Sequence, residues 1–134
     1  MAAADAPRAL TQYVHHVWTE EDGLPYAGIT AITQTQNGYL WVGTRGGLAR
    51  FDGARFVPFN TRNTPALQSN SISALYTAAD GTLWVGTLGG LTRYRDGRFT
   101  TFTTADGLPS DNVWAVTGEP DGTLWVGTLG GLTR

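Results

Sequence analysis

Side chains that could act as nucleophile, base or metal ligand are few in this 134-residue chain, and they are scattered. His15 and His16 are adjacent, so on a strand they point to opposite faces and cannot jointly hold one ion. No carboxylate pair at ligand spacing accompanies them, and no metal site is expected. Ser69, Ser71, Ser73 and Ser110 have neither a G-x-S-x-G elbow nor a paired base. The Gly-Gly pairs lie between two strands rather than ahead of a helix, which excludes phosphate loops of the Walker or Rossmann kind. There is no cysteine, so disulfides and thiolate metal sites are also excluded. No catalytic constellation emerges, and no cofactor is expected. Chemistry here reduces to non-covalent recognition by aromatic rings and arginines.

Those residues are organised by a repeat. DGTLWVGTLGGLTR occupies residues 80–93 and again 121–134, and a looser copy, NGYLWVGTRGGLAR, occupies 37–50. The copies are spaced by 43 and 41 residues, a period that belongs to repeat architectures. Each unit reads as four short strands. A first strand (29–35, 72–78, 113–119) meets Asn37-Gly38, Asp80-Gly81 or Asp121-Gly122, dipeptides suited to tight hairpin turns. A second strand (40–44, 83–87, 124–128) leads to Gly46-Gly47, Gly89-Gly90 or Gly130-Gly131 and a third strand. Fourth strands follow at 56–60 and 99–103, and Pro25, Pro65 and Pro109 fall only in the connections, where no ladder N–H is needed.

Four antiparallel strands in each repeat of this length predict an all-β fold of three β-propeller blades. The divisions fall at about 11–55, 56–98 and 99–134, after a leader at 1–10 expected to be flexible. The phase is offset, because the run between Tyr13 and Trp18 precedes the first DGLP and so takes a fourth-strand position. In closed propellers such an offset lets the N-terminal strand complete the last blade. Three blades are too few to close a ring, since propellers have about four to eight. Either the chain is a piece of a longer protein, or it closes as a homo-oligomer with Tyr13 to Trp18 of one copy on Gly131 to Arg134 of another.

Charged residues make up 15% and the formal net charge is −2, with all nine basic residues arginine. No basic stripe exists, so no nucleic-acid partner is expected. No apolar run approaches a membrane span, and the first ten residues lack the basic and apolar regions of an export signal. This segment is therefore expected to make no membrane contact.

Trp41, Trp84 and Trp125 recur at one strand position, which predicts packing between blades rather than ligand stacking. Departures from the repeat point elsewhere. Trp114 stands where the sister strands have Thr30 and Ser73, near the ring axis, and Arg45 stands where the sister turns have Leu88 and Leu129. Loops from fourth to first strand and from second to third strand share one face, so Tyr26, Arg45, Arg62 and Asn63 form the expected polar patch there. Solvated loop residues are the alternative reading of that patch, and core filling is the alternative for Trp114.

The pattern GLP, apolar strand, DGTLWVGT, GGLTRY resembles the two-component regulator propeller repeat, over nearly all of residues 13–134. That resemblance implies the extracytoplasmic sensor region of bacterial histidine kinases, hybrid kinases and diguanylate cyclases, with larger rings, a further β-rich domain, a membrane helix and an output module. It implies a periplasmic or extracellular location and a small extracellular ligand, carbohydrate among the candidates. The function expected is a non-catalytic recognition segment of a signalling receptor. A self-assembling structural module, closing as a dimer or trimer, is the alternative; a propeller lyase is a third.

Overall fold

The computed structural model describes residues 16–134. Among these residues eleven strands form three antiparallel sheets: β1 (Ile29–Gln34), β2 (Leu40–Thr44), β3 (Gly47–Phe51) and β4 (Phe56–Phe59); β5 (Ile72–Thr77), β6 (Leu83–Thr87), β7 (Gly90–Arg95) and β8 (Arg98–Phe102); β9 (Val113–Gly118), β10 (Leu124–Thr128) and β11 (Gly131–Thr133). Each sheet is a meander of sequence neighbours, the blade form that the sequence predicts. The third has three strands, β9, β10 and β11.

Two turn chemistries repeat in every blade. At the first hairpin, Oδ1 of Asp80 accepts from the Thr82 N–H and that of Asp121 from the Thr123 N–H, both at 2.9 Å, while Asn37 accepts from Tyr39 at 3.3 Å. Short carboxylate and amide side chains close such turns by mimicking a backbone acceptor. At the second hairpin, the Thr44, Thr87 and Thr128 hydroxyls each donate to the carbonyl of the second glycine and accept from the N–H of the first. Those second glycines, Gly47, Gly90 and Gly131, have φ of +141°, +133° and +123°, a conformation that side chains with a Cβ rarely adopt.

Successive blades pack face to face. Trp41, Leu48, Ile72, Leu83 and Val85 form the buried cluster between blades one and two, and Leu91, Val113 and Val126 that between blades two and three. The Trp41 ring lies 5.0 Å from Tyr94 of the next blade and 5.5 Å from Phe59 of its own. The glycine of LWVGT permits this approach: a Cβ on Gly43 would lie 2.5 Å from Ile72 Cγ2, and one on Gly86 would lie 2.9 Å from Val113 Cγ1.

Two short 3-10 turns, Glu20–Asp22 and Thr104–Asp106, were not expected from the sequence. Both are capping boxes, with Thr19 or Thr103 at the N-cap and Asp22 or Asp106 reaching back to it. Their near-identity places Trp18 at the repeat position of Phe102. Of the strand expected between Tyr13 and Trp18, residues 13–15 lie outside the described residues and 16–18 form no strand. No strand among the described residues pairs with that segment, and a lone strand has no ladder to hold it. His16 stacks on Trp18 at 4.3 Å, and Trp18 meets Phe51 edge-on at 5.2 Å.

Candidate functional site

One face of the blade stack gathers the loops. Each Gly-Gly turn touches the connection that enters its own blade: a Cβ on Gly46 would lie 2.9 Å from the Pro25 carbonyl, one on Gly89 2.9 Å from that of Gln68, and one on Gly130 2.7 Å from that of Pro109. The two loop types therefore share a face in all three blades.

A cavity of about 460 Å³ opens among the first strands of the blades, lined by Thr30, Arg45, Ser71, Ile72, Ser73, Leu88 and Trp114. Arg45 and Trp114, two departures from the repeat, thus meet in one place. Trp114 is half exposed. Arg45 is exposed and has no carboxylate partner among the described residues. Thr30 and Ser73 add hydroxyl oxygens, which donate outward to the carbonyls of Ile72 and Val113 and keep acceptor capacity. A half-exposed indole, an unpaired guanidinium and two hydroxyls suit a small polar ligand with one flat face.

The other three candidates lie outside this lining. Tyr26 is exposed and packs beside Gly28 and Gly46, next to the Arg45 turn. Arg62 is exposed in the turn after β4, its N–H bound to Asn60 Oδ1. Asn63 has its amide occupied locally: Oδ1 accepts from the Asn60 N–H and the Thr64 hydroxyl, and Nδ2 donates to the Pro58 carbonyl. That side chain shapes the turn.

The opposite face carries a second cavity of about 360 Å³ at the seam of blades one and two, lined by Tyr39, Trp41, Arg50, Asp80, Tyr94 and Arg95 among others. Sequence reasoning passed over it, although Tyr39 in place of Thr82 and Thr123 is a visible departure. The Arg50 guanidinium sits 4.8 Å from the Tyr39 ring centroid and 5.7 Å from Trp41. Its walls are largely paired with each other: Arg95 bridges Asp80 at 3.2 Å, and Gln36 Nε2 donates to the Ala79 carbonyl. It is a seam between blades more than a recess awaiting a guest.

Asp52, Asp80 and Asp121 are held below the usual carboxylate range, in each case chiefly by backbone N–H donors in their own turns. Among the described residues no group of three or more His, Asp or Glu is placed to hold a metal ion, and no helix is long and apolar enough to cross a membrane.

The pattern that defines the two component regulator propeller matches this chain three times, over residues 23–46, 66–89 and 107–130, together just over half of its length. The chain belongs to that family. It is 43% identical over 63 residues to Histidine kinase P4 of Formosa agariphila, a match covering 47% of this chain and 4% of that protein. Among solved structures, the extracellular domain of BT3049 from B. thetaiotaomicron, described as a hybrid two component system, superposes with a TM-score of 0.75 at 26% identity, over 85% of this chain and 16% of that one. The extracellular domain of BT4673 from the same organism, described as a one component system, shares the fold at a TM-score of 0.64 and 21% identity, over 78% of this chain and 16% of that one. The chain thus spans a small part of each relative.

Proposed function

We propose that this propeller segment is the recognition part of a two-component-type receptor, facing the periplasm or the exterior, and that it performs no catalysis. The convergence of Arg45 and Trp114 in one loop-face cavity carries the reading. Those are the positions where the repeat has been abandoned for a planar donor and a large ring, in a structure whose sister blades manage with Leu, Thr and Ser. A small carbohydrate fits this chemistry best: the indole takes the apolar face of a sugar ring, while Arg45 donates to its hydroxyl or carboxylate oxygens. Occupancy would bridge blades one and three and tighten their packing, the change passed to an output module elsewhere in the receptor. The extracellular assignment of the solved relatives supports the location.

The test is a panel of neutral and uronic mono- and disaccharides, titrated against the chain with tryptophan fluorescence as readout. Arg45→Leu and Trp114→Ser restore the residues of the sister blades, so both should fold. Binding by one panel member, weakened at least tenfold by either reversion, is the expected result. A panel without a binder, or affinity indifferent to both reversions, would overturn the reading.

A further inference from the structure

The loop-face cavity is polarised from one side to the other. Its two inward hydroxyls have already placed their protons: Thr30 Oγ1 donates to the Ile72 carbonyl at 2.6 Å, and Ser73 Oγ donates to that of Val113. A hydroxyl has a single proton, so toward a guest both oxygens offer lone pairs only. Arg45 offers the converse, a planar fork of N–H donors with no acceptor. A ligand that satisfies both sides must bring hydroxyl donors at one end and an acceptor at the other.

Charge decides which acceptor. The chain is acidic, with a formal net charge of −2, yet no Asp or Glu of the described residues lines this cavity, and Arg45 is its one charged side chain. Carboxylates are placed elsewhere. Asp52, Asp80, Asp96 and Asp121 sit in hairpins at the opposite end of the strands. Asp22, Asp106 and Asp111, in the connections, accept from the backbone N–H groups of Thr19, Thr103 and Thr104 at 2.8, 2.9 and 2.8 Å. Leu88 and Trp114 add apolar surface to the lining, beside which an ion pair is less screened than in bulk water. A guanidinium in that setting matches a carboxylate, which it grips by two parallel hydrogen bonds, each about twice as strong as one to a neutral hydroxyl.

We infer that the cavity selects hexuronates, sugars bearing a carboxylate, over their neutral counterparts. The inference rests on the recognition reading above and adds the charge and orientation of the ligand. The carboxylate pairs with Arg45, the ring hydroxyls donate to Thr30 and Ser73, and the C–H face of the ring lies on Trp114. Arg45 and Thr30 belong to blade one, Ser73 to blade two and Trp114 to blade three, so one small acid engages all three.

The test compares D-glucuronate and D-galacturonate with their uncharged amides, which keep the shape, and with D-glucose and D-galactose. Affinities are read by isothermal titration calorimetry at low salt, where an exposed ion pair is least screened. At least one hexuronate should bind about tenfold or more tighter than its amide and its parent sugar. Arg45→Leu should bring the acid down to the affinity of the amide. Trp114→Ser should weaken acid and amide by a similar factor, because stacking ignores the charge. Neutral sugars that bind as tightly as the acids would overturn this inference and leave the recognition reading standing. Binding by no member of the set would overturn both. A preference for the acid that survives Arg45→Leu would also overturn the inference, since the charge would then be read elsewhere.

Discussion

The Thr30 hydroxyl of blade one donates to the main-chain carbonyl of Ile72 in blade two, at 2.6 Å. One repeat later Ser73 does the same to Val113. A side chain on the innermost strand of blades one and two thereby fixes the height of the next blade along the axis, while apolar packing holds the faces together. Thr30→Val keeps the shape and removes the donor, leaving the Ile72 carbonyl without this partner. The expected loss is about 1 kcal/mol, read as a shift in the urea midpoint.

The repeated tryptophans should not be equivalent. Trp41 is buried between two blades, whereas Trp125 is only half-buried, with Nε1 donating to Glu119 at 2.9 Å. Trp41→Ala should cost about 3–5 kcal/mol. Trp125→Ala should cost less than half as much in the monomeric chain, by the same denaturation measurement.

Glycine within LWVGT offers a similar contrast. Gly43→Ala drives a methyl group into Ile72 and should destabilise by about 1–3 kcal/mol through overpacking. Gly127→Ala should fall within about 0.5 kcal/mol of the parent at concentrations where the chain is monomeric, as an unconstrained surface change does.

Acid should loosen the hairpins. Asp52, Asp80 and Asp121 have folded pKa values below the unfolded reference of 3.8. The unfolded chain therefore takes up protons first as pH falls, and stability declines with it. The contribution is complete above the unfolded value and is lost as pH drops through the folded ones. Asp80→Asn with Asp121→Asn copies the Asn37 turn. The double variant should lose less stability than the parent between about pH 5 and pH 3, followed by thermal melts across that range.

The blades were legible because short β-rich runs end at Asn-Gly, Asp-Gly and Gly-Gly, whose backbone demands admit few alternatives. The 3-10 turns were written in the sequence too, as Thr19 with Asp22 and Thr103 with Asp106, but the strand pattern running up to Thr103 obscured them. Arg45 and Trp114 stood out singly as departures from the repeat. That they line one cavity depends on how three blades stack, which no local pattern encodes. Asn63 illustrates the reverse: an amide in a polar loop looks available for binding until the turn that it closes is seen. Nor does composition reveal that Leu91 and Leu132, in identical 14-residue surroundings, are buried and exposed respectively. Burial here belongs to the neighbour, not to the segment.

If each blade is held mainly by the one beside it, the chain behaves as a short row of coupled units, and opening should start where coupling is weakest. Among the described residues, blade three has three strands and packs against blade two alone. Its amides should exchange with solvent by detachment of that unit alone, well ahead of those of blade two, although the two share a segment of identical sequence.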